Sequence, residues 1–218
     1  MKAFEKWLAN TPHAVTLFVI ADLFESDGFS EWFTALLANH GERLTVGCHG
    51  LTHRSWSAWP EDCEGFEASL KQATAVLKEK AGGHFRPWFR APAGYIAPWM
   101  ATTLAGQGYT VDSSVNPSWL VRKKAGKGNS WADVNDAMAQ QGVLERPWAT
   151  RFSLPVNGPA LTKFPLSVIA RGVWKKAPSV LTGSELDAAV PDSTQPLVTL
   201  YWHVLDHSRN KATWTPPL

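Results

Sequence analysis

Three segments of this 218-residue chain gather side chains that could do chemistry. In Gly47-Cys48-His49-Gly50-Leu51-Thr52-His53, two imidazoles stand four residues apart, so a helical turn would bring both to one ion. Phe89-Arg90-Ala91-Pro92-Ala93-Gly94-Tyr95 offers a guanidinium able to orient a carboxylate through paired hydrogen bonds. Its Pro-x-Gly turn can expose a backbone N–H to a developing oxyanion. Thr199-Leu200-Tyr201-Trp202-His203, followed by Asp206 and His207, ends a strand-like run in an imidazole suited to general acid work. Each pattern also has a plainer reading: a hydrogen-bonded histidine pair, a structural arginine and a surface histidine.

Such side chains act together only if strands and helices deliver them to one place. Ala14 to Ile20 is a near-continuous apolar, β-branched run, the pattern of a strand covered on both faces. Leu44 to Cys48 and Arg86 to Arg90 read as strands running straight into the first two segments, and Tyr109 to Asp112 reads as a fourth strand. Apolar spacings of three and four predict helices between them. One is short, over Ala3 to Ala9. Another carries Phe29, Trp32, Phe33, Leu36 and Leu37 with Gly41 as its stop, a long one runs from Pro60 to Lys80 and stops at Gly82-Gly83, and Pro98 to Ala105 is a fourth. Ser130 can cap a helix with Trp131, Val134 and Met138 inward and Gly142 as its stop. Phe152 to Val156 and Leu197 to Trp202 are the last strand candidates, separated by Pro-rich loop and a short helix near Ser184 to Ala189. Alternating strand and helix argue for parallel βα units in a single α/β domain over residues 1–218, barrel-like or open. A βαβ unit takes about 30 residues, yet only a short helix precedes the first strand.

The composition is globular: 44% apolar and 18% charged residues exclude disordered, collagenous and coiled-coil classes. Residues 1–110 carry 9 basic and 11 acidic side chains and residues 111–218 carry 12 and 8, an asymmetry too small to argue for nucleic acid or an anionic membrane. No apolar run approaches a membrane span, and the first ten residues lack the basic-then-apolar order of a secretory signal, so the chain as written is expected in the cytosol. Cys48 and Cys63 are too few for a disulfide framework and are expected as free thiols. Twelve Trp against 3 Tyr can mean sugar-stacking surfaces, although core filling is the commoner use.

In this order the segments resemble the polysaccharide deacetylase family, the NodB-homology carbohydrate esterases. His49-Gly50-Leu51-Thr52-His53 matches the H-(S/T)-x-x-H metal motif with Gly50 at the Ser/Thr place, and Arg90-Ala91-Pro92-Ala93-Gly94 is similar to R-x-P-(Y/F)-G with Ala93 for the aromatic. Asp112-Ser113-Ser114 resembles a fourth motif, Leu200-Tyr201-Trp202-His203 fits L-x-x-H, and Ala14 to Ile20 is similar to the strand written ATFFV. The resemblance implies a distorted (β/α)7-type barrel and metal-dependent removal of acetyl groups from N- or O-acetylated sugars. It also implies a divalent metal, commonly zinc, on His49, His53 and an aspartate. His203 would protonate the leaving amine with Asp112 as its partner, Arg90 would orient the base, the Ala93 N–H would hold the oxyanion, Leu200 would line the acetyl-methyl pocket, and Tyr95 is a candidate substrate contact. The family's T-F-D-D motif, which supplies the base and the metal aspartate from the first strand, has no counterpart here, since no Asp precedes Asp22. The expectation is therefore a barrel lacking its first strand, truncated at its N-terminus, with weak metal binding and little activity of its own. The alternatives are a non-catalytic carbohydrate-binding relative and a deformylase or amidase acting on a lipid-linked sugar. Oligomeric state is not legible.

Overall fold

A computed structural model of the chain describes residues 1–177 and 181–218; Pro178 to Val180, inside the expected Pro-rich loop, lie outside the described residues. Five parallel strands make the central sheet in sequence order: β1 (Val15–Val19), β2 (Leu44–Cys48), β3 (Phe85–Phe89), β4 (Val111–Asp112) and β5 (Leu144–Glu145). β2 is buried at all five positions, as its apolar run requires of a strand covered on both faces. Gly47 within it leaves room for a neighbour, because a Cβ there would meet the Phe18 ring at 2.7 Å. A single parallel bridge, Trp148 to Thr199, continues the sheet beyond β5. Among the described residues no strand pairing joins this edge back to β1, so the sheet stays open and the expected barrel is not closed.

One helix precedes the first strand and the others cross between strands. They are α1 (Lys2–Ala9), α2 (Asp27–His40), α3 (Cys63–Ala81), α4 (Met100–Gly106) and α5 (Trp131–Gln140). α3 buries Phe66, Leu70, Ala73, Leu77 and Ala81, one face of a 3.6-residue period. It starts later than Pro60, because Asp62 caps it by accepting the Gly65 N–H at 2.9 Å. α5 begins at Ser130 with a reciprocal Ser130–Asp133 capping box and is followed by Gly142 at φ 72°. Gly41 does not stop α2 by a left-handed turn: its φ is −55° and it continues into a 3-10 turn. It is small because the His84 ring would lie 2.5 Å from any Cβ.

The second half departs more from expectation. Phe152 to Val156 is not one strand but the tip and return of a hairpin, β6 (Thr150–Arg151) with β7 (Leu154–Pro155), turned by left-handed Phe152 and Ser153. Leu197 to Trp202 forms no strand beyond the single bridge at Thr199. Its backbone is satisfied piecemeal, with Thr199 O accepting from Ala149, Tyr201 O from Gly158, and the Tyr201 N–H donating to the Asn157 side chain. α6 (Leu166–Trp174) is a helix where loop is expected, and α7 (Gly183–Ala189) falls where the short helix is expected.

Among the described residues thirty buried apolar residues form the main core, and Val156, Ala160, Leu161, Ala170, Trp174 and Trp214 form a satellite under α6. Trp202 packs against both. α1 inserts Phe4 and Leu8, each fully buried, into the main core. It also lies against the turn Val204–Ser208, where Phe4 meets His207 edge-on at 5.4 Å and Trp7 meets Trp202 at 5.3 Å. No helix is long and apolar enough to cross a membrane among the described residues.

Candidate active site

Because the strands are parallel, their carboxyl ends share one rim, where α/β proteins carry their chemistry. The ladder extends one residue past each strand. His49 donates its N–H to Val19 O at 2.9 Å, Arg90 to Cys48 O at 2.9 Å, Ser113 to Phe89 O at 2.9 Å and Arg146 to Asp112 O at 2.7 Å. His49, Arg90 and Ser113 are thereby set side by side at one level.

His49 donates from Nδ1 to the Arg90 carbonyl at 2.7 Å. A carbonyl can only accept, so Nδ1 carries the hydrogen and Nε2 keeps its lone pair. Burial, with the positive fields of Arg90, His53 and His203, pushes the His49 pKa down to about 3, so the ring is neutral at physiological pH. His53 is exposed, and its ring centroid lies 5.4 Å from that of His49. The two are not on a helical turn as the spacing suggests: Gly50, at φ 89°, reverses the chain between them.

Two imidazoles do not complete a metal centre. A catalytic zinc takes three protein ligands, and among the described residues no group of three His, Cys, Asp or Glu side chains is placed to hold an ion. Asp22 does not join the pair; it sits in the 3-10 turn Ala21–Glu25, tied by its N–H to Leu51 O at 2.9 Å. The residues present do not fit the zinc site that the resemblance implies.

Arg90 is 9% exposed and braced rather than free. Nε donates to Ser113 O and Nη2 to Ser113 Oγ, each at 3.0 Å, and the guanidinium lies over Phe18, Tyr201 and Trp148 at 4.5, 5.0 and 5.4 Å. Burial brings its pKa down to about 10, which leaves it charged at neutral pH. After it, the turn Pro92–Gly94 puts Ala93 in the left-handed region at φ 53°, ψ 15°. Lys124 binds Ala93 O at 2.6 Å and stands 5.3 Å from the Tyr95 ring, tying both expected substrate contacts to one ammonium.

Asp112 is fully buried and accepts from Ser114 N–H at 3.2 Å and Ser114 Oγ at 2.6 Å. It is not the carboxylate beside His203. That place belongs to Asp206, which lies 3.5 Å from His203 Nδ1, accepts the His203 N–H at 3.1 Å and holds Arg209 at 2.7 Å. The physical reason is local: three residues after His203, Asp206 closes a capping box on the turn Val204–Ser208, whereas Asp112 is occupied by Ser114. The His203 side chain is 59% exposed, consistent with a group that meets solvent or substrate. Leu200 packs onto the satellite core.

Sequence reasoning passes over Glu145, and it names Ser114 only as part of the Asp112-Ser113-Ser114 motif. Glu145 ends β5 directly beside Asp112, Ser114 Oγ accepts the Ala91 N–H at 2.8 Å, and Trp148 Nε1 donates to Ser113 O at 2.7 Å while its ring lies 4.4 Å from Tyr201. The one available signal was Val143-Leu144, an apolar pair directly after the helix stop at Gly142.

No protein-family model and no curated protein matches the chain. Among solved structures, it is similar to one described as a "putative polysaccharide deacetylase from Mycobacterium smegmatis", at TM-score 0.51 and 19% identity over 92% of this chain and 62% of that one. A weaker likeness, at TM-score 0.44 and 14% identity over 92% of this chain and 66% of that one, is to a Streptococcus mutans CE4 esterase, and no argument rests on it. The chain thus spans less than two thirds of the length of either structure. It has the polysaccharide deacetylase fold.

Proposed function

We propose that residues 1–218 act as one domain of a hydrolase for N- or O-acetylated sugars, held to little activity by an incomplete metal set. What carries this reading is the convergence of three groups: His49 with a free Nε2, braced Arg90, and His203, whose ring meets Tyr201 edge-on at 5.7 Å while the Arg90 guanidinium lies 5.0 Å from that same Tyr201 ring. In this reading His203, oriented by Asp206, hands a proton to the departing nitrogen or oxygen. Within the Arg90–Gly94 turn the Ala93 N–H is the backbone donor for the acyl oxygen, since the N–H groups of Arg90, Ala91 and Gly94 are bonded to Cys48 O, Ser114 Oγ and Ala91 O. His49 and His53 offer two imidazole donors, one short of a catalytic zinc set, so divalent metal binds weakly.

The test is calorimetric titration of the chain with zinc, paired with acetate release from chitin oligosaccharides. Weak zinc uptake with slow, metal-stimulated release is expected. Tight stoichiometric zinc with rapid turnover would overturn the incomplete-set part, and no release at any metal concentration would overturn the hydrolase part.

A second reading, sugar binding without hydrolysis, is favoured by Trp59 and Trp119, which are 65% and 61% exposed. They flank two rim turns, after β2 and β4, that are joined by the Ser57 hydroxyl donating to Lys124 O at 2.7 Å. Under this reading, replacing both by Ala weakens oligosaccharide binding about tenfold, about 1.4 kcal/mol, with no acetate release from the unaltered chain. Unchanged binding would remove it.

A further inference from the structure

The rim sits above a carboxyl pair to which nothing so far gives a role. Asp112 and Glu145 are direct partners in the register of the adjacent parallel strands β4 and β5, so their side chains leave the sheet on one face. Like charges at such a position repel, and two buried carboxylates side by side cannot both stay ionised. Every donor in reach divides the two unequally. Asp112 takes both the N–H and the hydroxyl of Ser114. Glu145 Oε1 takes only the Val115 N–H, at 3.2 Å, and Oε2 is buried with no partner. The nearby cation does not close the gap, because Arg90 donates to Ser113 and to neither carboxyl.

We propose that Asp112 and Glu145 hold one proton between them, on Glu145 Oε2, and that Glu145 is thereby a positioning residue for the Arg90–Gly94 turn. The proton turns the orphaned Oε2 into a donor to Asp112, leaves one negative charge against one guanidinium, and completes a directional chain. Glu145 O–H and Ser114 O–H both point to Asp112, and the Ser114 oxygen, its hydrogen spent, accepts the Ala91 N–H at 2.8 Å. The residue after Arg90 is therefore fixed by a carboxyl it does not touch. Burial and the charge of Asp112 hold Glu145 well above the ordinary carboxyl range, against the weaker pulls of the Val115 N–H and Arg90. Arg90, from the end of β3, is the charged group facing the pair; Ser114 and Val115 face it as neutral donors.

The proton assignment is independent of the hydrolase reading, since it is read on the resting chain and not by turnover. Carbon-13 labelling of glutamate carboxyls in the full chain, with the resonance absent from Glu145→Gln identified as Glu145, follows it directly. Glu145 is expected to be the last glutamate to ionise as pH rises, and Asp112→Asn, whose amide removes the charge and donates to Glu145, to bring that midpoint down by about one pH unit or more. Glu145 titrating with the exposed glutamates, or unmoved in Asp112→Asn, overturns the proposal.

A second arm needs only the isosteric variant. A group whose folded pKa is raised contributes stability that is present below its unfolded pKa, about 4.3, and lost as pH rises toward the folded value. The folding constant of the unaltered chain therefore falls by up to tenfold per pH unit across that window relative to Glu145→Gln. Superimposable profiles overturn the proposal. The positioning role predicts that the Ala91 amide proton shifts with the Glu145 titration, a response absent in Glu145→Gln; an Ala91 amide that does not move sinks that role.

Discussion

Ala93 holds a left-handed backbone without being glycine, and Gly94 follows it at φ 72°. For an L-residue this region costs about 1 kcal/mol or more, close to the entropy a glycine would lose. Ala93→Gly should therefore leave the denaturant midpoint almost unchanged, while Ala93→Val should cost about 1–2 kcal/mol. Gly94→Ala should cost more, upward of about 2 kcal/mol, since its Cβ would lie 2.9 Å from the Trp148 ring and 3.3 Å from Ser114 O. His207 gives a pH prediction of known sign. Burial lowers its pKa from 6.5 to about 4, so the unfolded chain takes up a proton that the folded one refuses. Stability should decline as pH falls from about 6.5 toward 4, and His207→Gln, which keeps an acceptor for Trp202 Nε1, should flatten that decline in denaturation measured across the window. His49, Arg90 and Asp112 were legible because each stands at or directly after a readable apolar run. Glu145 was not, because its place depends on the register of two-residue strands, and Asp206 was visible beside His203 without its pairing, which depends on a turn that closes over three residues.

At the scale of elements, local chemistry was readable wherever it was strong. α5 follows from Ser130, Asp133 and Gly142, and Ser130→Ala should cost about 1 kcal/mol by thermal or denaturant unfolding, because the Asp133 N–H loses its acceptor and the Asp133 carboxylate loses a donor. β1 to β3 follow from runs of apolar, β-branched and aromatic residues, and of the three β2 is buried at every position while β1 alternates buried with half-buried residues. The elements that escaped are set by tertiary context. Phe152 to Val156 alternates like a strand, yet Phe152 and Ser153 turn it back on itself and leave Phe152 75% exposed at the tip. Leu166–Trp174 contains Val168, Ile169 and Val173, poor helix formers, and is helical because Ala170 and Trp174 reach the satellite core and Trp174 Nε1 finds Val156 O at 2.8 Å. Leu197 to Trp202 has a strand's composition, yet among the described residues it pairs with its neighbour only at Thr199, opposite Trp148.

Over the whole molecule, the tryptophan excess divides by location. Trp56, Trp174 and Trp214 are buried in the two cores and Trp88 and Trp148 are buried beside them, while Trp59 and Trp119 are exposed, so burial accounts for more of the excess than any sugar surface. The first and last parts of the chain meet through aromatic faces. Phe4 is completely buried against this junction, and Phe4→Ala should cost about 3–5 kcal/mol, measured by equilibrium unfolding. That junction also orders events in time. Joining α1 to the turn Val204–Ser208 closes a loop of about 200 residues, an entropic cost near 5 kcal/mol that local pairing of β1 with β2 avoids. Contacts of such long range form late and let go early. Native-state hydrogen exchange should find the amides of Trp7 and Leu8 opening at a smaller free energy than those of Val46 and Gly47; equal opening energies would place the clasp within the global folding unit.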